Sequence, residues 1–443
     1  MLVRAHFYGW AIVRRRVNWR IRNPRVVLAL LTTLNLANYV DRTVLPAVMA
    51  PIQDDFHLSK LVGGLLSDLF LIGYALTSPI FGIRGDRATA AGRNRLLALG
   101  VAVWSLATIG SGLATGAGSL IVARAFVGVG EASYATLAPT LIDEIAPAAS
   151  AGTWMAIFSA ATPVGSALGY IVGGAVLHAH GWRAAFFVAG GPGLVAAILC
   201  LFVAAPAGDG ARRVRPRVDL LATARTLLRE PLYRRTVLGY CAYAFAVGGF
   251  AHWAPVYLHE SYGLEPGHAS LLFGLTSLAG GVAGTLVGGW ASDRTVRAER
   301  RREEAAQGDP LAEDQLDAAV TRGNLLACQI AMAIGAPLAA LAIWAPTSNG
   351  FFMALLPCET AVFLLSGPIN VAILRSAPPA MRASAMALAI FAIHALGDFW
   401  SPPLIGLVAD HTTMKIAIAA APLVFALAAI VWRKGRSASV GLT

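Results

Sequence analysis

Long apolar stretches follow one another along this chain, each about the length of a membrane crossing and each closed by a short polar or basic break. Apolar and polar residues do not alternate within them, so they do not read as half-buried strands. A helix of about 20 residues covers the hydrocarbon thickness of a bilayer. Twelve stretches reach that length: 25–49, 61–82, 95–115, 118–143, 151–178, 183–205, 234–259, 268–291, 323–345, 350–374, 382–409 and 412–432. The pattern predicts an all-α membrane protein with twelve transmembrane helices. Between the sixth and seventh lies Pro206 to Pro231, which contains Arg212-Arg213-Val214-Arg215-Pro216-Arg217 and reads as a linker. The expected organisation is a cytoplasmic basic segment at 1–23, a six-helix bundle at 24–206, a cytoplasmic linker at 207–232, a second bundle at 233–433 and a cytoplasmic tail at 434–443. A further polar segment, Arg297 to Arg322, mixes both charge signs and is expected to form a short surface helix.

Composition sharpens this. Hydrophobic residues make up 57% of the 443 and charged residues only 13%, against about 25% charged in soluble domains. The net charge of +11 comes from arginine clusters beside the spans: Arg14 to Arg25, Arg84 to Arg95, Arg212 to Arg235, Arg294 to Arg302, and Arg433 to Arg436. The intervening breaks at Gln53 to Lys60, Ala114 to Ser119 and Ala345 to Asn349 carry little positive charge. The positive-inside rule places the arginine side, and with an even number of spans both termini, in the cytoplasm. Placement beside apolar spans argues against nucleic acid as the partner of this charge. Four cysteines (Cys200, Cys241, Cys328, Cys358) lie inside apolar stretches and read as small buried hydrophobes. No small-residue cleavage site follows the first apolar run, so it reads as a retained helix. Phe7 to Arg22 could lie on the inner membrane surface. Arginine- and alanine-rich usage with three lysines suggests a bacterial cytoplasmic (inner) membrane.

The chain repeats itself. Gly82-Ile-Arg-Gly-Asp86-Arg87 closes the second predicted span, and Gly289-Trp-Ala-Ser-Asp293-Arg294 closes the eighth. A weaker echo pairs Ala146-Pro147 and Met155 to Phe158 with Ala377-Pro378 and Met386 to Phe391. An acid and an arginine at a cytoplasmic helix end can bind neighbouring helix ends and latch one bundle arrangement. Two such motifs at matching positions resemble the major facilitator superfamily. That resemblance implies two pseudo-symmetric six-helix bundles around a central cavity.

Ionisable groups inside a span cost several kcal/mol unless paired or hydrated. The first span carries Asn35, Asn38 and Arg42 on one stripe, with Asp41 at its edge. The fourth carries Arg124 and Glu131 two turns apart on one face, with Gly128 and Gly130 between them permitting close helix approach. Either these groups form a structural ion pair between helices, or they form a proton- and anion-sensing cluster at a cavity. A pair that breaks and reforms would be both.

Asn38-Tyr39-Val40-Asp41-Arg42 resembles the N-Y-x-D-R signature of spinster-like transporters, which organic-anion symporters share. Arg124-Ala-Phe-Val-Gly-Val-Gly-Glu-Ala-Ser-Tyr-Ala-Thr-Leu-Ala-Pro139 resembles the fourth spinster helix almost throughout, and Pro163 to Gly173 the fifth. Organic-anion symporters usually show proline where Ser133 stands. The resemblance implies roles in protonation and gating for Asp41 and Glu131, and head-group contacts for Arg42 and Arg124, with Asn38 and Tyr134 beside them. It also implies a lysophospholipid or sphingoid phosphate-like substrate. Two departures concern the cytoplasmic latch. Ala88 to Gly92 makes a longer loop than the family pattern, and Ala146 to Gly152 lacks the usual basic residue.

Further candidates for the cavity lining are His252 with Trp253, Tyr240 and Tyr243, then Glu359, and the one-turn pair His394 and Asp398. His394 and Asp398 read as a helix-packing hydrogen bond rather than a metal site, since no third ligand is evident. Asp68 reads as an interhelix partner. The glycine-rich runs are packing faces, not phosphate loops, and no catalytic constellation or cofactor motif is present. The expectation is a monomeric, proton-linked secondary transporter of an amphipathic substrate, working by alternating access. Uptake of a small organic anion such as a sugar acid is the alternative, and a non-transporting membrane sensor or scramblase-like channel the second.

Overall fold

The computed structural model describes residues 21, 23–146, 151–203, 220–307 and 309–433. The basic surface segment expected at Phe7 to Arg22, most of the linker, the centre of the loop after the fourth span and the tail 434–443 lie outside the described residues.

The first half comprises α1 (Pro24–Ala47), α2 (Met49–Phe56), α3 (Lys60–Arg87), α4 (Ala90–Gly112), α5 (Ala117–Ile145), α6 (Ala151–His180) and α7 (Trp182–Leu201). After a short α8 (Leu220–Arg229), the second half comprises α9 (Pro231–Tyr262), α10 (Pro266–Gln307), α11 (Glu313–Ile343), α12 (Ser348–Phe363), α13 (Pro368–Arg375), α14 (Arg382–Ile393), α15 (Ser401–His411), α16 (Met414–Ile418) and α17 (Ala420–Trp432). Helix starts follow local chemistry. Asn23 caps α1 with Pro24 in its first turn, and Ser59, Thr89 and Thr347 cap α3, α4 and α12 by accepting from backbone N–H groups. Gly263 closes α9 at φ 66°, in the left-handed region that glycine tolerates.

Among the described residues, ten helical segments are long and apolar enough to cross a membrane. The other two of the twelve expected spans are α1 and α9, the first long helix of each half. Both are long enough but rich in polar residues, Asn35, Asn38, Asp41 and Arg42 on α1 and Arg234, Arg235, His252 and Glu260 on α9.

Several expected boundaries need correction. The first span bends at Val48 and continues into α2. The tenth breaks at Gly367, where Pro368 starts a new helix. The eleventh contains a π-turn at His394–Asp398. Pro402 and Pro403 have no N–H to give to the carbonyls one turn back, and the Asp398 carbonyl instead accepts from Ser401 Oγ at 3.2 Å. The Arg297 to Arg322 segment is not a separate surface helix. It is the end of α10, which runs unbroken to Gln307, and the start of α11. Asp293 and Arg294 therefore sit within a helix instead of closing one. Thr89 starts α4 immediately, so the chain turns at Ala88 and Thr89 alone and the expected long loop is absent.

The halves meet where α6 packs on α10 and α3 on α15. The hydrogen bonds and ion pairs joining them gather towards the end of the bundle where α3 begins and α15 ends. Asp410 accepts from the Lys60 and Leu61 N–H groups at 2.8 and 2.9 Å, which also places a carboxylate at the positive end of the α3 dipole. Lys60 Nζ pairs with Glu260 at 3.0 Å, and Ser270 donates to the Ala47 carbonyl at 2.6 Å. Tyr170 donates to the Ala251 carbonyl at 2.7 Å. His178 Nδ1 reaches Glu265 at 3.3 Å. Glu265 also accepts from the Gly267 and His268 N–H groups. Its partial burial favours the neutral acid, but the two N–H bonds and His178 outweigh that and hold its carboxyl below the usual range. This cap is therefore complete above the ordinary carboxylate pKa and is lost only in acid.

Close approach here depends on two glycines. A Cβ on Gly64 would meet the Pro402 backbone at 2.5 Å, and one on Gly406 would meet the Lys60 carbonyl oxygen at 2.3 Å. Gly406→Val should part the halves at this end. Spin labels at positions 57 and 411 should report a longer distance in the variant, and an unchanged distribution would contradict this packing account.

Candidate functional site

Helices α1 and α5 place four charges together in the first half, and α4 adds the Thr108 hydroxyl. Asp41, Arg124 and Glu131 are fully buried, while the Arg42 side chain keeps 18% of its exposure. The charges pair crosswise. Arg42 Nε donates to Glu131 Oε2 at 2.8 Å, with Nη2 at 2.7 Å from the same oxygen. Arg124 Nη1 lies 3.5 Å from Asp41 Oδ1, and Asp41 Oδ2 accepts from Thr108 at 2.6 Å. Thus the four residues are brought together, neutral as a set.

Glycine makes room for this. A Cβ at Gly128 would meet the Phe70 carbonyl oxygen at 1.8 Å, and one at Gly130 the Trp104 nitrogen at 2.4 Å. α5 is thereby pressed against α3 on one side and α4 on the other, shielding Arg124 and Glu131 from solvent. Removing charges from water costs several kcal/mol per ion, recovered only with good geometry and satisfied hydrogen bonds. The recovery is incomplete: Glu131 Oε1 and Arg124 Nε are buried without hydrogen-bond partners. Arg42 is the open member. Its guanidinium sits within 5.1, 5.0 and 5.8 Å of the ring centres of Tyr39, Phe70 and Tyr74, an aromatic collar that favours a cation.

Around this core the sequence expectations separate. Asn35 is bound to the Phe158 carbonyl. Asn38 is buried beside the cluster with its amide nitrogen unpartnered. Tyr134, expected as a head-group contact, is instead a packing residue. It donates to the Leu31 carbonyl at 2.5 Å and lies between Trp104 and Phe158.

In the second half, His252 is buried, shares a 2.9 Å hydrogen bond with Ser67 Oγ across the interface, and leaves Nε2 unpartnered. Tyr240 and Tyr243 stack with centres 5.8 Å apart, with Tyr243 turned to the Val362 carbonyl and Phe425. Glu359 is buried between α10 and α12, accepting from Ser277 at 3.2 Å. His394 Nδ1 donates to Asp398 at 2.9 Å within the π-turn itself, so this bond joins no two helices. Asp68 makes no ion pair among the described residues, and its Oδ2 is buried without a hydrogen-bond partner. No group of three or more metal-type ligands occurs among the described residues.

At the arginine-rich end, Arg87, Asp293 and Arg294 are exposed and Gly82 and Gly289 lie on helix flanks. Arg294 stacks over Trp290 at 5.6 Å. The side chain of Asp86 lies outside the described residues. The ion pairs that do brace this end were not anticipated from sequence: Arg93 with Glu144, Asp317 with Arg375 and Arg382, and Arg322 with Glu303. Each lies within one half and joins residues far apart in the chain, so no local pattern shows them. Apart from Arg322, the tenth residue of α11, each group does sit near a helix end facing an opposite charge.

Residues 31–402 match the Major Facilitator Superfamily. The chain belongs to that family of membrane transporters, and it is not an enzyme. Within it, the chain is a transporter of the spinster type. It is 30% identical to the probable sphingolipid transporter spinster homolog 2 of Arabidopsis thaliana, over 93% of this chain and 87% of that one. It is 33% identical to human protein spinster homolog 1, over 87% and 73%. Among solved structures, a bacterial homolog of the human lysosomal transporter Spinster, in an inward-facing and occupied conformation, superposes with a TM-score of 0.75 at 21% identity, covering 92% of this chain and 96% of that one. A D-xylose-proton symporter shares the fold at a TM-score of 0.69 and 16% identity, covering 92% and 97%.

The crossed pairing makes a stability prediction. Arg124→Met strands a buried carboxylate and should cost about 3–5 kcal/mol; Asp41→Asn on the same background should recover part of that loss. Thermal unfolding of the single and double variants in detergent measures the coupling, and simple additivity would contradict the pair.

Proposed function

We propose that this chain is a proton-linked transporter of an amphipathic, lipid-like substrate with an anionic or zwitterionic head, moved by alternating access between bundles 24–206 and 233–433. One observation carries the reading: the only partly exposed charge of the buried cluster is a cation, Arg42, held in an aromatic collar and bound to a carboxylate that can take a proton. Protonation of Glu131 breaks its ion pair and frees Arg42 for a phosphate or carboxylate head group. Arg124, fully buried against Asp41, holds the neighbouring pair in place and reaches substrate only if that pair opens. The apolar walls of the bundles take the acyl tail. The names of the plant relatives, which refer to sphingolipid, support an amphiphile over a sugar acid.

The arginine-rich end reads as cytoplasmic, with both termini there, in a bacterial inner membrane and as a monomer. The latch of Asp410, Lys60 and Glu265 then closes the outer side, which supports a cytoplasm-facing state. In the outward-facing state, Asp86-Arg87 and Asp293-Arg294 take over as the latch.

Flux of a lysophospholipid and of a sugar acid into proteoliposomes, with and without a pH gradient, tests this. The lysophospholipid should move, faster with the gradient, and Arg42→Ala should cut its rate at least tenfold, about 1.4 kcal/mol of transition-state stabilisation. Glu131→Gln should abolish the gradient's effect. Sugar-acid flux in its place, or lysophospholipid flux indifferent to pH, would overturn the proposal.

A further inference from the structure

A second polar centre lies across the interface from the arginine cluster. Helices α3 and α15 run antiparallel in a register fixed by two close contacts, Lys60 on Gly406 and Gly64 on Pro402. One turn further along α3 stands Asp68, and one turn before the Pro402 contact stands Asp398 in the π-turn, packed on Gly248 of α9, so the same register brings the two carboxylates to one level of the interface. They lie within electrostatic range of each other. The groups around them are His394, which donates to Asp398, the Ser67 and His252 pair next to Asp68, and Tyr240. Neither carboxylate has an ion-pair partner among the described Lys and Arg residues.

The two acids are unlike in access. Asp68 is 7% exposed with Oδ2 lacking any hydrogen-bond partner, whereas the Asp398 side chain keeps 33% of its exposure. A buried carboxylate oxygen with no donor calls for one. A π-turn departs from regular helix hydrogen bonding and often marks a functional site. The first-half cluster is balanced two against two, but this one holds two acids and no fixed cation. A positively charged donor shared by the two carboxylates would satisfy the unpartnered Asp68 Oδ2.

We propose that Asp68 and Asp398 form an ammonium subsite, which binds a primary amine of the substrate while Arg42 binds its anionic group. A metal ion fits less well, because the described residues supply no group of three ligands. An ammonium carries three N–H donors, enough for both carboxylates at once. Helix α9, which carries Tyr240 and His252, packs against α1, which carries Arg42 and the Tyr39 of its collar, so both subsites border the interface between the halves. A substrate bridging them would be a zwitterionic amphiphile whose amine and phosphate are separated by a short linker. This rests on the reading of Arg42 as the anion contact only for the second group of that substrate; the ammonium subsite stands by itself.

The test uses the purified full chain in detergent and three probes with the same twelve-carbon tail: an alkylammonium, an alkyl phosphate and a lysophospholipid with an ethanolamine head. Asp398→Asn should weaken the alkylammonium and the ethanolamine probe by about tenfold or more relative to any change for the alkyl phosphate. Asp68→Asn, near-isosteric and monitored by its unfolding temperature, should act in the same direction. Arg42→Ala should weaken the phosphate and ethanolamine probes and leave the alkylammonium selectivity in place. No binding of alkylammonium to the native chain, or an equal loss for all three probes in both carboxylate variants, would overturn the subsite. Failure of the alkyl phosphate alone would count against Arg42 as the anion contact and leave the ammonium result standing.

Discussion

The rest of the site depends on two ion pairs in the first half, Asp41 with Arg124, both fully buried, and the partly exposed Arg42 with buried Glu131. Charges placed so deep must be matched one for one. That requirement reaches outward into the fold. Gly128 and Gly130 bring α5 against α3 and α4 to shield the pairs, Thr108 fills the remaining valence of Asp41, and α1 carries enough polarity that it falls outside the helices apolar enough to cross a membrane by composition. The neighbours of the cluster are fixed by packing. The one member with room to act is Arg42.

In the proposed alternating-access cycle, the interface between the two bundles is where so local an event would be amplified. At one end, a carboxylate cap on α3, a lysine–glutamate pair and a histidine–glutamate contact hold the halves together. At the other, the ion pairs brace each half internally, leaving Asp293 and Arg294 exposed. Bonds within each half keep it rigid, while bonds between halves are few and polar, so they can be exchanged for others at modest cost. In the proposed cycle, a change of charge at Glu131 would bias that exchange. Asp68 on α3 and Asp398 in the π-turn before α15 add a second pair of titratable groups to the same interface.

Much of this was legible from sequence because membrane residence forces it. Lipid demands long apolar helices, so every charge inside one stands out, and Asp41, Arg42, Arg124 and Glu131 could be named together. Which acid pairs with which arginine was not legible: a helical face shows that two residues point the same way, not which neighbour arrives there. Tyr134 lies one turn from Gly130 on the same helix as Glu131, yet its ring is turned into the packing between Trp104 and Phe158. The breaks at Gly367 and at His394–Asp398 were missed because the apolar pattern continues through them. Proline pairs such as Pro402 and Pro403 were the available signal. The correspondence of Asp68 with Asp398 depends on the register between α3 and α15, more than 300 residues apart in the chain, which no local pattern carries.

The central claim is that an anionic group displaces Glu131 from Arg42 and that Glu131 takes up a proton as it leaves. Calorimetric titration of an alkyl phosphate into the purified protein, repeated in buffers of different ionisation enthalpy, counts that proton directly. The account predicts net uptake approaching one proton per ligand bound, and none in the Glu131→Gln variant. Binding enthalpies that do not vary with the buffer in the native protein would contradict it.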